Sequence, residues 1–229
     1  MKGFLTQLKI QCKSDLRNRT VLWSTYVVPV IYYVLNGYLS KLTSRNSELI
    51  LNSVLLAISL MAYSLLPQKF VALSMTGTQD TYRVLGIPAW SYHLIAIILA
   101  LFHNIIFTVG ILFFAPVTFN ARIPENLFLF FIVMIVCAVS SMSIGMFFSS
   151  IVHNTSATSL FSTLLLIPSI IDVSVFPSGL KTLISFFPSH LAKRALVGDF
   201  WGSTFIMCVE AIFFILVSQL IMSKLIKKK

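Results

Sequence analysis

Charge is scarce in this chain. Of 229 residues, only 10% are Asp, Glu, Lys or Arg. A soluble domain uses about 25%, so a water-covered globule is excluded. Acid is scarcer still, with seven Asp and Glu against 17 Lys and Arg, for a net charge of +10. Cysteine is nearly absent. Cys12, Cys137 and Cys208 lie far apart, without metal-ligand spacing or an even-numbered framework, so structural disulfides are not expected. The nine glycines build no G-x-x-x-x-G-K-[ST] phosphate cradle, so the chain cannot bind and hydrolyse ATP in the usual way. H-E-x-x-H, paired-glutamate metal motifs and G-x-S-x-G are also missing. No catalytic residue and no metal ligand is assigned.

What is there is apolar. The chain is 57% hydrophobic, with a mean hydropathy of +0.91. It reads as an all-α polytopic membrane protein. In a soluble protein the net charge would point to nucleic acid. Here the basic residues flank apolar runs, so membrane lipids and topology account for them, and no nucleic-acid partner is expected. Lys2, Lys9, Lys13, Arg17 and Arg19 precede Val21 with no apolar core among them, so no cleavable signal peptide is expected.

Residues 1–20 read as an amphipathic interfacial helix. Phe4, Leu5, Leu8, Cys12 and Leu16 share one face, and Lys9, Lys13 and Arg17 share another. A positive flank that orients the first span is the plainer alternative. Residues 21–229 read as a six-span transmembrane domain. Its spans fall near 21–40, 49–66, 94–117, 127–150, 157–176 and 203–222, close to the ~20 residues that cross hydrocarbon. Pro29 is expected to kink the first span. Pro67 and Lys69 mark the membrane exit of the second, whose helical pattern continues through Phe70–Met75. Residues 177–201, with Pro177, Gly179, Pro188 and Gly198 around a short apolar run, predict re-entrant outer helices before the last span. Eleven Lys and Arg then fall on the side of the termini and six on the other. This bias puts both termini in the cytoplasm of a cell whose plasma membrane holds the protein.

Asp80–His93, DTYRVLGIPAWSYH, is a polar island between two apolar runs. Tyr82, Arg83, Trp90 and Tyr92 supply contact groups, and Gly86 and Pro88 shape a turn, so the stretch is expected to receive another protein at the inner surface. The tight turn 151–156, with His153 and Asn154 at its tip, is a second, smaller contact.

Polar residues within the spans are few. Asp172 and Glu210 fall in the outer half of the membrane, where a charge faces a cavity or a partner. One reading makes them an acidic lining for cationic cargo. The other pairs Glu210 with Lys or Arg of 177–201, or leaves it protonated against a neighbouring helix. His103 and Asn104 read as an interhelical hydrogen-bonding pair rather than a relay. Ser141, Gly145 and Ser149 recur every four residues, which suits close helix packing within one chain or a dimer seam.

Three passages carry a family resemblance. The first is Thr81–Trp90, TYRVLGIPAW, with Arg83, Gly86 and Pro88. The second is Ser140–Ser156, with Gly145 and small residues before a short turn. The third is Ile167–Leu196, with Pro168, Phe176, Pro177, Leu180, Phe187 and Pro188. In this order they resemble the membrane subunits of ABC-2 type exporters, over nearly the whole chain. The acidic cluster usual before the Arg is reduced to Asp80. Within the family, the chain looks like short Lys- and Ile-rich permeases such as the staphylococcal exporters of phenol-soluble modulins. Exporters of antibiotics, bacteriocins and polysaccharides share the layout.

The resemblance implies a dimer, either a homodimer or a pair with a paralogous permease, worked by a separate cytoplasmic ABC ATPase. ATP and Mg would sit on that partner, with no cofactor on this chain. The coupling residues would be Asp80, Tyr82, Arg83, Gly86, Pro88, Trp90, His153 and Asn154. Cargo would leave past Asp172, Phe176, Phe187 and Glu210. Two other classes fit the composition: a channel or carrier independent of ATP, and an immunity protein that binds a toxin without moving it. Dependence on a partner ATPase separates both from an exporter.

Overall fold

The computed structural model describes residues 2–43, 48–75, 89–152 and 154–227, and nearly all of them are helical. Helix α1 is Lys2–Arg17. After Asn18 the chain turns into α2, which runs through Arg19–Leu22, a π-helical turn Trp23–Val27, and Val28–Thr43. Helix α3 repeats the pattern, with Leu49–Leu60, a π-helical turn Met61–Leu65, and Leu66–Met75. Then come α4 (Ala89–Phe119), α5 (Leu127–Ile151) and α6 (Thr155–Ile170). A 3₁₀ turn at Val173–Val175 precedes two short helices, α7 (Ser178–Ile184) and α8 (Pro188–Val197), and α9 (Phe200–Lys227) closes the chain.

Both π-helical turns have the same cause. Pro29 and Pro67 each stand two residues beyond a π turn. A proline inside a helix donates no hydrogen bond, and its ring crowds the carbonyl four residues back. In each case the residue before the proline bonds five residues back instead of four: Val28 N to Trp23 O, and Leu66 N to Met61 O. The helix absorbs the defect as a bulge and continues. Pro67 thus stands within a continuous helix, as the helical pattern through Met75 led us to expect. It lies inside the apolar stretch, which runs on to Val71.

Helix ends follow local chemistry. The Asn126 side chain accepts from Leu129 N at 3.0 Å and starts α5. Asn120, at φ 53°, ends α4, with Ala121 N bonding back to Ala115 O and Asn120 N to Pro116 O. The bond from Asn120 N to Pro116 O is that of the αL cap, and Asn accepts the left-handed position better than a branched residue does.

Four helices among the described residues are long and apolar enough to cross a membrane: Leu49–Val71, Leu94–Phe119, Leu127–Ile151 and Phe200–Ile221. The first and fifth expected spans differ. Helix α2 carries Tyr26, Tyr32, Tyr33 and Asn36 and is less apolar. Helix α6 has 16 residues and stops at Ile170, short of the expected 176. Ile171 turns extended, and the Asp172 side chain captures Ser174 N at 2.8 Å. An Asx side chain offers the backbone this alternative to continuing a helix.

Helix α3 is the centre of the bundle, packed by α2, α4, α5 and α6. Of its apolar stretch 78% is buried inside the protein, against 17% for α9, which lies on α5 and α8. Gly145 of α5 fits against the backbone of α3. A Cβ there would overlap the Ala62 carbonyl oxygen and touch Pro67 Cγ at 3.4 Å. At Gly110 of α4 a Cβ would meet nothing within 4 Å. We expect Gly145→Val to destabilise the protein by about 1–3 kcal/mol and Gly110→Val to change it little. Thermal unfolding of the two variants in one detergent checks this, and equal melting temperatures would count against the close contact.

Candidate functional site

Inside the bundle, polar side chains from three helices meet. Glu210 of α9 is half-buried, and Ser140 Oγ of α5 donates to its Oε2 at 3.1 Å. Ser141 follows on α5, buried, beside the hydroxyl of Tyr63. Tyr63 belongs to the π turn of α3 and is 1% exposed. Its hydroxyl is close to Ser141 but makes no hydrogen bond of good geometry. Cys137 is buried on the same side of α5. From the connecting segment, Phe187 closes over Tyr63, ring edge to face, with centroids 6.4 Å apart.

This cluster sorts the expected residues. Glu210 meets a neighbouring helix rather than a cation of 177–201. Phe187 joins it through Tyr63. Asp172 is elsewhere in character: exposed, capping the Val173–Val175 turn. The backbone hydrogen bond from Ser174 holds its carboxyl below the ordinary range, helped by the Ser174 hydroxyl and by Lys193 and His190. Phe176 is half-buried, and its N–H closes the same turn on Val173 O. Ser141 and Gly145 pack within the chain against α3, while Ser149 Oγ bonds back to Met146 O at 2.7 Å.

Of the expected coupling residues, Asp80, Tyr82, Arg83, Gly86, Pro88 and His153 lie outside the described residues, as does the Trp90 side chain. The Trp90 backbone is in the first turn of α4. Asn154 is the N-cap of α6, its side chain accepting from Ser156 N at 2.9 Å. His103 is an interhelical residue, as expected. Its Nδ1 meets the Tyr26 hydroxyl of α2 at 2.5 Å.

Three groups went unread in the sequence. Asp15 of α1 is buried and ion-paired to Lys69 of α3. The signal was present, because Asp15 is the one acid in an otherwise basic helix. His190 of α8 is buried and donates Nε2–H to Pro168 O of α6 at 2.7 Å, which fixes its tautomer. Tyr63 gave no signal, since a tyrosine in an apolar run is ordinary. Among the described residues, no three His, Cys, Asp or Glu side chains converge as a metal site.

The fold and the apolar helices define a multi-pass helical membrane protein. A family model described as ABC-2 type transporter matches residues 3–178, and the chain belongs to that family. No curated protein matches the chain. Membership makes the chain a transport permease that partners, as the family generally does, with an ABC ATPase.

Two measurements test the site. Ser140→Ala takes the hydroxyl from a half-buried carboxylate and should cost about 1–3 kcal/mol, whereas Tyr63→Phe removes an unpartnered hydroxyl and should be neutral or stabilising. Chemical or thermal unfolding ranks the pair, and the reverse order would contradict the arrangement. The second concerns acid. The Asp172 carboxyl is depressed below its ordinary 3.8 in the folded protein. Its contribution is therefore present above that value and is lost as pH falls through the folded value. Unfolding of Asp172→Ala should depend less on pH below about 4 than unfolding of the parent, by an amount kept small by solvent screening.

Proposed function

We propose that the chain is the membrane-spanning subunit of an ATP-driven exporter, moving an amphipathic peptide, drug or lipid-like cargo out of the cell. The observation that carries this reading is α3. It runs unbroken from Leu49 to Met75, beyond its apolar stretch, and leads straight to residues 76–88. With ~1.5 Å of rise per residue, such a helix exceeds the ~30 Å of hydrocarbon. A rigid limb centred in the bundle suits the transfer of a push made at its end. The family match and the lack of a phosphate-binding loop support a separate ATPase as the source of that push.

In this reading α2 and α6 complete six spans, and the sixteen-residue α6 ends its span at Ile170. Helices α7 and α8 form the re-entrant outer pair. Both termini are cytoplasmic, α1 lies at the inner lipid surface, and two such subunits form the path, as a homodimer or with a paralogue. The 76–88 segment, with Arg83, Gly86 and Pro88, docks on the ATPase, and the turn around His153 is the smaller contact. Glu210, with Phe187 over Tyr63, is the place where cargo passes the outer half of the membrane.

Arg83→Glu or Gly86→Trp should uncouple ATP hydrolysis from export while leaving insertion intact. Both are read in vesicles carrying the permease with its ATPase. Export at the parental rate in both variants would remove 76–88 from the coupling role. Glu210→Gln separates cargo handling from packing, since lowered export at parental stability supports the former and normal export with lowered stability rejects it.

A further inference from the structure

The two π-helical turns face each other, Trp23–Val27 of α2 against Met61–Leu65 of α3. Such turns are rare and concentrate at functional sites. Next to them is a cavity of about 20 Å³, lined among others by Asp15, Met61, Leu65, Lys69, Ala100 and His103. By this measure a single water needs about 10–15 Å³.

Three of the lining side chains are polar. Asp15 of α1, 6% exposed, is ion-paired to Lys69 of α3. His103 of α4 is 2% exposed. Its Nδ1 is taken by Tyr26, and its buried Nε2 has no partner in the protein. A buried ring nitrogen left bare carries an uncompensated desolvation cost, so it calls for a partner. The occupant has to be small and neutral. A cation would meet the Lys69 ammonium, and an anion would meet the Asp15 carboxylate.

We propose that this cavity is a one-water site, in which an ordered water bridges His103 Nε2 to the Asp15 carboxylate. It completes a hydrogen-bonded chain from Tyr26 through His103, the water and Asp15 to Lys69. That chain joins α1, α2, α3 and α4 at one point, in a seam that is otherwise apolar. The N-terminal helix is thereby keyed to one position on the bundle, which apolar contact alone does not specify.

A structure of the full chain in nanodiscs at a resolution that shows waters should contain one peak within about 2.7–3.2 Å of His103 Nε2 and in reach of an Asp15 oxygen. Filling the space with Ala100→Val should remove the peak. It should also raise amide exchange across residues 8–17 about fivefold or more, and His103→Leu should do the same. Ala100→Ser, the gentler variant, puts a hydroxyl where the water was and should lose the peak with protection kept. An empty cavity in the parent overturns the proposal. So does parental protection of 8–17 in both Ala100→Val and His103→Leu.

Discussion

In hydrocarbon every backbone donor and acceptor has to be met within the protein, and a proline inside a spanning helix breaks the ladder that meets them. Pro29 and Pro67 set this constraint on the two helices that begin the bundle. Each helix answers with a π turn instead of a break. Much of the rest depends on that answer. The turn in α3 carries Ala62, whose carbonyl receives Gly145 of α5, and Tyr63, which reaches toward Ser141 and lies under Phe187. The turn in α2 carries Tyr26, which holds His103 of α4. Two backbone defects thus place side chains from α4, α5 and the segment before α8 around α3.

Lipid and protein compete for these helices in different ways. Apolar surface gains little from leaving lipid, so close packing and polar contacts decide which faces meet. Helices α3 and α5 meet through small residues and a glycine. Helices α5 and α9 add the Ser140–Glu210 bond. Helix α1 joins through Asp15 and Lys69, while its Ile10 and Leu16 stay exposed, as suits a helix with one face in lipid.

The membrane class and helices α4, α5 and α9 were legible because an apolar run of spanning length has few other readings. So was the continuation of α3 to Met75, since the helical period did not lapse. The end of α6 was not legible. An apolar run through Phe176 says nothing about Asp172 taking the Ser174 N–H, which is a contest between two hydrogen bonds and not a matter of hydropathy. The π turn before Pro67 was not legible either: the helical period showed that the helix runs on, and not how its backbone passes the proline. In the site, Glu210 stood out as a rare intramembrane acid, and its partner did not, because Ser140 is one of many serines in α5. Asn154, expected as a contact residue at a turn, is also the N-cap of α6, a role its place before Thr155 and Ser156 left unread.

The contrast between α3 and α9 has a meaning for biogenesis. A chain is made and inserted from its N-terminus, so α3 enters the bilayer before α4, α5 and α6 exist to cover it. For that interval its serines and Tyr63 are bathed in lipid or held by the insertion machinery. Helix α9 arrives last and finds its seat on α5 and α8 already built. Of the four long apolar helices described, the most buried thus waits for its neighbours, and the least buried completes the assembly on arrival.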